Sequence, residues 1–198
     1  MKILITATLL FVSFFSFSQK IDTSYSKNKK RAIKMEFFSP LTGNTTFGYE
    51  SYIKDWLSWE AKIGIIGLGV SAHDANYKGF LFKGGPKFKL NPDFITSDLR
   101  GSHLLSGKYI RPEIIFAQYQ AEDEFFDSSS KSITSVALMI TYGRQYVLAN
   151  IMTLDYHIGL GYGYDSSEDG RYNFGHSNGN SDFPIAISAG FTIGVLLK

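Results

Sequence analysis

From residue 30 to the C-terminus the chain repeats one pattern: apolar side chains at every second position, over segments longer than ordinary globular strands. A strand points successive side chains to opposite faces, so such a segment splits into two faces. Residues 184–197 show it best. Ile185, Ile187, Ala189, Phe191, Ile193, Val195 and Leu197 share one face, and Ala186, Ser188, Gly190, Thr192 and Gly194 share the other. In 151–164, Met152, Leu154, Tyr156, Ile158, Leu160, Tyr162 and Tyr164 oppose Thr153, Asp155, His157, Gly159, Gly161 and Gly163. In 106–119, Ile110, Pro112, Ile114 and Phe116 oppose Tyr109, Arg111, Glu113 and Ala117. In 79–90, Phe80, Phe82, Pro86, Phe88 and Leu90 oppose Lys83, Lys87 and Lys89. Eight such segments are expected, over 30–38, 45–54, 57–69, 79–90, 106–119, 132–148, 151–164 and 184–197.

One face is oily and the other small or charged, so the class depends on which face is inside. A soluble barrel or sandwich turns the oily face into its core; a membrane barrel turns it to lipid and lines its lumen with the polar face. Strands of nine residues or more exceed the usual five or six of globular sheets and match the ~9–11 that a tilted membrane strand needs. Aromatics placed near segment ends (Tyr52, Trp56, Trp59, Tyr119, Tyr142, Tyr146, Tyr162 and Tyr164) suit interfacial girdles. The expected fold is therefore all-β: an antiparallel, up-and-down transmembrane β-barrel of eight strands. Lys54-Asp55-Trp56 and Leu148-Ala149-Asn150 read as tight periplasmic turns. The longer polar stretches 70–78, 121–131 and 165–182 read as outer loops. An even strand count places both termini in the periplasm. Segment 39–44 is short for an outer loop on this scheme, and 91–105 is long for a periplasmic turn.

The N-terminus agrees with export. Met1-Lys2 precedes an apolar run over 3–17, and Ser16-Phe17-Ser18 offers small residues at the two positions a signal peptidase reads, with cleavage before Gln19. The run is shorter than the ~20 apolar residues of a spanning helix. The expected organisation is a signal peptide over 1–18, a periplasmic segment over 19–29 and a barrel over 30–198. The chain has no Cys, which excludes a disulfide scaffold, a thiolate metal site, a Cys nucleophile and a lipoprotein anchor. A formal net charge of +2 gives no bulk case for nucleic acid.

Four stretches, in order, carry a resemblance: Lys34-Met-Glu-Phe-Phe-Ser-Pro-Leu-Thr-Gly43 running into Phe47-Gly-Tyr-Glu50, then Lys83-Gly-Gly-Pro-Lys-Phe-Lys-Leu90, Gly107-Lys-Tyr-Ile-Arg-Pro-Glu113 and Ala189-Gly-Phe-Thr-Ile-Gly194. With the strand layout they cover most of 30–198. The chain resembles small outer-membrane barrels of the OmpA/OmpX type, most of all an uncharacterised group of them from Bacteroidota. The resemblance implies insertion by the barrel assembly machinery, and it implies no reaction. Many such barrels end on an aromatic residue, whereas this chain ends Leu196-Leu197-Lys198.

With the oily faces outward, the inner face carries an ionic set: Lys34, Glu36, Glu50, Glu60, Lys62, Lys83, Lys87, Lys89, Arg111, Glu113, Asp155 and His157. Six fixed cations stand against five carboxylates. An eight-stranded barrel is just wide enough for side chains to fill, so the expectation is a luminal charge network that plugs it, ahead of an ion path or proton relay. Asp155, His157 and Ser188 together suggest a nucleophilic triad, but the sequence does not fix the register, and an approximate hairpin pairing puts Ser188 opposite residues near Gly159 or Gly161 instead of His157. The bland reading, a hydrogen-bonded pair in the lumen, is preferred. Outer-loop acids (Glu122, Asp123, Glu124, Asp127; Asp165, Glu168, Asp169, Asp182) read first as a solvated rim and second as divalent bridges to lipopolysaccharide. Gly64-Ile-Ile-Gly-Leu-Gly69 has no helix after it and is no phosphate loop. No catalytic, cofactor or metal site is assigned.

The functional expectation is a non-enzymatic outer-membrane barrel displaying surface loops for envelope integrity, adhesion or recognition. Its partners would be outer-membrane lipid and lipopolysaccharide, with no requirement for an oligomer. The alternatives are an enzyme acting on lipid A or phospholipid and a soluble periplasmic lipid-binding barrel.

Overall fold

The computed structural model describes residues 29–70, 76–91, 103–122, 131–166, 172–178 and 184–198. The expected signal peptide and nearly all of segment 19–29 lie outside the described residues, as do Asp123, Glu124, Asp127, Glu168, Asp169 and Asp182.

Eight strands form the wall, all of ten residues or more except the first, whose expected span of 30–38 is cut to six residues by the turn at Ser39: β1 (Arg31–Glu36), β2 (Asn44–Lys54), β3 (Leu57–Ile66), β4 (Asn76–Asn91), β5 (Gly107–Glu122), β6 (Lys131–Leu148), β7 (Met152–Asp165) and β10 (Ile185–Leu197). Each pairs antiparallel with its sequence neighbour, and β1 pairs with β10, which closes an up-and-down barrel. The closing ladder runs from Arg31 opposite Leu197 to Glu36 opposite Thr192. A short hairpin of β8 (Tyr172–Asn173) and β9 (His176–Asn178), unexpected from the sequence, follows β7 in the chain and pairs with β10 at Ala186 and Ile187, on the edge opposite β7.

Arg31 and Leu197 mark what we term the lower end. Its turns are tight where expected: Ala149 and Asn150 have φ of 50° and 54°, the left-handed pair of a type I′ hairpin. At the upper end, 39–44 is a 3-10 turn (Ser39–Thr42) ended by left-handed Gly43. It leads β1 away from β10, and Val70 N–H bonds to the Pro40 carbonyl at 2.7 Å.

The two faces separate as their alternation dictates. Ile63, Leu138, Ile140, Ile158 and Leu160 project outward, each at least 60% exposed. The ionic residues are buried on the opposite, enclosed face. Two aromatics depart from expectation, and the first, Tyr52, shares the inward parity of Glu50 and packs half-buried against Ala32, Leu105 and Leu196. Tyr119 is inside, packed edge-to-face on Tyr77 and on Phe174 of the β8–β9 hairpin at 5.8 and 5.0 Å. In β5, Tyr119 shares the parity of Arg111 and Ala117, and parity outranks closeness to a strand end.

The β4–β5 ladder breaks between Gly84–Ile114 and Phe88–Ile110. The register there sets Pro86 opposite Pro112, and neither has an N–H to donate. The strands close up at the break: a Cβ on Gly85 would stand 1.9 Å from the Pro112 carbonyl oxygen. Gly85→Ala is therefore expected to destabilise the barrel by about 1–3 kcal/mol through overpacking against backbone. Gly84→Ala, whose nearest atom would be 3.3 Å away, should cost less. Thermal unfolding followed by far-ultraviolet circular dichroism compares the two.

Candidate functional site: the barrel interior

Inward residues stack in three layers. At the lower end Ala32, Leu105 and Leu196 form a small apolar cap, and Ser106 Oγ donates to the Gln145 carbonyl at 3.2 Å. At the upper end Ile66, Leu81, Ile115, Ile133 and Met139 gather with Phe174 of the hairpin. Between them lies the ionic layer. The sequence pattern suggests small or charged inner faces throughout, whereas the upper third is apolar. Segment 132–148 has β-branched and apolar residues on both faces there, so alternation alone does not show which of them face inward.

All twelve ionic residues singled out from the sequence are buried, and ten of them form one connected web. Glu60 on β3 is its hub. Its carboxylate meets Lys34 and Lys87 at 2.6 Å, Arg111 at 2.5 Å and Lys62 at 3.3 Å. Asp155 on β7 meets Lys87 at 2.6 Å and Lys34 at 3.2 Å, and accepts a hydrogen bond from Tyr109 Oη at 2.7 Å. Glu50 meets Lys34 at 2.5 Å, and Arg111 meets Glu113 at 3.0 Å. Near the upper edge of the layer Glu36 bridges Lys62 at 3.0 Å and Lys83 at 2.9 Å. Each charge thus finds opposite charge where water is displaced, the condition under which buried ions are tolerated.

Two of the twelve stand apart. Lys89 Nζ has no hydrogen-bond partner and lies 5.7 Å above the Tyr52 ring. His157 Nδ1 is also unpartnered. The structure does not assemble a triad. His157 pairs in register with Gly190, Ser188 pairs with Gly159, and the Asp155 carboxylate is taken up by two lysines and Tyr109. Ser188 Oγ has no hydrogen-bond partner.

Gln145 and Tyr109 complete the web and were missed as members from sequence. The Gln145 amide nitrogen donates to Glu50 at 2.9 Å, and its oxygen accepts from Lys34 at 2.7 Å and Lys87 at 3.0 Å. Its inward position follows from the alternation Thr141, Gly143, Gln145. Tyr109 reaches Asp155 across Gly143, where a Cβ would lie 2.6 Å from the phenol carbon. Lys87 Nζ sits 4.3 Å over the Tyr109 ring, adding a cation–π contact.

His176 belongs to the β8–β9 hairpin, outside the wall strands. Its Nε2 is 3.2 Å from Ser135 Oγ. Burial, aided by the Lys83 ammonium, pushes the imidazole down from 6.5 to about 4, so it is neutral at pH 7. Among the described residues no group of three or more His, Asp or Glu side chains is placed to hold a metal ion. No family model, no curated protein and no solved structure matches the chain.

Glu60→Gln is expected to destabilise the protein by about 3–5 kcal/mol, because it strips the shared counter-charge from four buried cations. Lys89→Met is expected to be neutral or stabilising, since it removes a buried charge that has no hydrogen-bond partner. Urea midpoints of the two variants decide this. The hairpin carries its own pH dependence. An unfolded His176 binds a proton near pH 6.5 and the packed one near pH 4, so stability falls as the pH drops through that window. The emission of a Phe174→Trp probe should shift red over that range, and adding His176→Gln should abolish the shift.

Proposed function

We propose that the protein is a small outer-membrane β-barrel with a plugged lumen, exported by its N-terminal signal peptide, that displays surface loops without catalysing a reaction. The observation that carries this reading is the inversion of its two faces. A barrel in water would bury Ile63, Leu138, Ile140, Ile158 and Leu160, and would expose Lys34, Glu60, Lys87 and Asp155; this one does the reverse. The arrangement is stable in a hydrocarbon surround, where the closed hydrogen-bond ladder leaves few main-chain groups unpaired. The resemblance to barrels of the OmpA/OmpX type supports the same assignment. With it come the barrel assembly machinery during insertion and lipid or lipopolysaccharide as the surround.

On this reading the lower end, which holds the termini and the two tight turns, faces the periplasm. The upper end carries the loops outside. Tyr162 and Tyr164 above, and Trp56 stacked on Phe88 below, would stand at the two interfaces. A web this dense between two apolar caps supports a lumen that serves as scaffold for the loops rather than as a pore. Envelope integrity, adhesion and recognition are the roles such a display supports.

The full chain in an outer-membrane fraction is expected to migrate differently on gels when unheated than when boiled, as a closed barrel keeps its ladder in mild detergent. In planar bilayers it should pass no measurable ion current. Recovery from the soluble periplasm without a heat-dependent shift would overturn the membrane assignment, and steady conductance would overturn the plugged lumen.

A further inference from the structure

The wall has a notch. β1 and β10 pair up to Glu36 and Thr192, and Phe37 N–H still reaches the Phe191 carbonyl at 2.9 Å. Above that point Ser39 turns the chain off the wall. Its hydroxyl donates to the Glu36 carbonyl at 2.8 Å and accepts the Thr46 N–H at 3.1 Å. β10 stays paired with β7, but its other edge meets no described strand until β9 joins it at Ile187, opposite Ser177. Four residue steps separate Ile187 from Phe191, about 13 Å of strand edge. Alternate residues of an antiparallel strand direct both main-chain groups to the same neighbour. The Ala189 N–H and C=O therefore point the same way as the Phe191 carbonyl, into the notch, where no strand among the described residues meets them.

A cavity of about 270 Å³ fills this notch. Its lining includes Ser188 and Gly190 from the inward face of β10 and Ile187, Ala189 and Phe191 from the outward face. Residues from both faces of one strand can line a single cavity only if it passes the strand's edge, so the cavity joins interior to exterior. Outside, Phe37, Phe38 and Phe191 form a rim with centroids 5.1–6.1 Å apart. Across β10, Ala189 lies beside Ile158 and Ile187 beside Leu160, so the apolar belt continues past the notch. Inside, two buried polar atoms lack partners: Ser188 Oγ and His176 Nδ1. Lys83 is matched by Glu36, with both carboxylate oxygens at 2.9 Å, so the inner wall presents no uncompensated charge.

From this geometry we propose that the notch is a lateral binding site for a single-chain amphiphile with an uncharged, hydrogen-bonding head group. The proposal rests on the membrane reading, which supplies the surround from which the molecule enters. The head lies at Ser188 and His176 and against the open Ala189 main chain; the tail leaves between the three phenylalanines into the outer half of the apolar belt. Unpaired main chain facing hydrocarbon is costly, and a head group with a hydroxyl or ester oxygen satisfies it. The volume lies just under the usual range of small-molecule pockets, which suits one short chain and excludes a two-chain lipid.

The test uses the full chain in phosphatidylcholine vesicles carrying a trace of a photoreactive, diazirine-bearing twelve-carbon alcohol. After illumination, mass spectrometry maps the label. The expected result is labelling of outward residues such as Ile140 and Leu160 plus concentrated labelling at 175–177 and 188–190, the latter displaced by unlabelled decanol. Ser188→Phe fills the cavity, and Ala189→Trp blocks its mouth from the outer face without entering the interior. Each should lower labelling at 175–177 by about tenfold or more. Label on the outward belt but none in the notch, or notch labelling unchanged in both variants, overturns the binding site and leaves the membrane reading standing. Absence of label from Ile140 and Leu160 overturns the membrane reading itself.

Discussion

The ladder between β1 and β10 is the constraint from which the rest of the structure follows. Eight strands that meet their own first member have a fixed circumference, and an interior about as wide as inward side chains can fill. Closure also turns every second residue of each strand into a space from which water is displaced. A lysine or glutamate placed there is costly unless it finds a partner. Glu60 illustrates this, since no single cation approaches it alone: Lys34, Lys62, Lys87 and Arg111 arrive from β1, β3, β4 and β5. The web is thus a consequence of closure and also a brace across the barrel, because moving any one strand would unpair charges on several others.

Charge pairing of this kind selects one structure more than it lowers its energy. Buried ion pairs give back little beyond their desolvation cost, while a mismatched one is heavily penalised. A strand shifted by one residue would turn Lys34, Lys62 or Lys87 outward and bring isoleucines and phenylalanines in. That is a strong penalty against wrong registers, useful in a fold whose β4–β5 ladder is interrupted at Pro86 and Pro112. The two apolar caps bound the web. The lower one is small, and the upper one borrows Phe174 from a hairpin that belongs to no wall strand.

The same upper region holds the departure from a complete wall. Where β1 turns away at Ser39, β10 is briefly an edge, and β9 only partly replaces the missing neighbour. Natural sheets cover or pair their edges. An edge that no described strand meets, beside a cavity with unpartnered polar atoms, is a place where function can reside in a barrel of this kind.

Much of this was legible in the sequence. Alternation is a property of a single strand's backbone, so it can be read along the chain without knowing any neighbour. It placed Asp155 and His157 inward, Leu160 and Ile187 outward, and the two tight turns where they stand. It failed where both faces of a segment are apolar, as near Ile133 and Met139, and for Tyr52 and Tyr119, where closeness to a strand end was weighed above parity. What lay beyond the sequence were the meetings between strands. Lys34 and Asp155 are 121 residues apart, and Gln145 and Glu50 are 95 apart. Which inward residue faces which depends on the stagger of every strand between them, summed around a closed ring. The path of the β8–β9 hairpin, the gap beside Ala189 and the failure of Ser188 to meet His157 are all decided by that sum. The local pattern determined the faces of the strands, and only closure in three dimensions determined their partners.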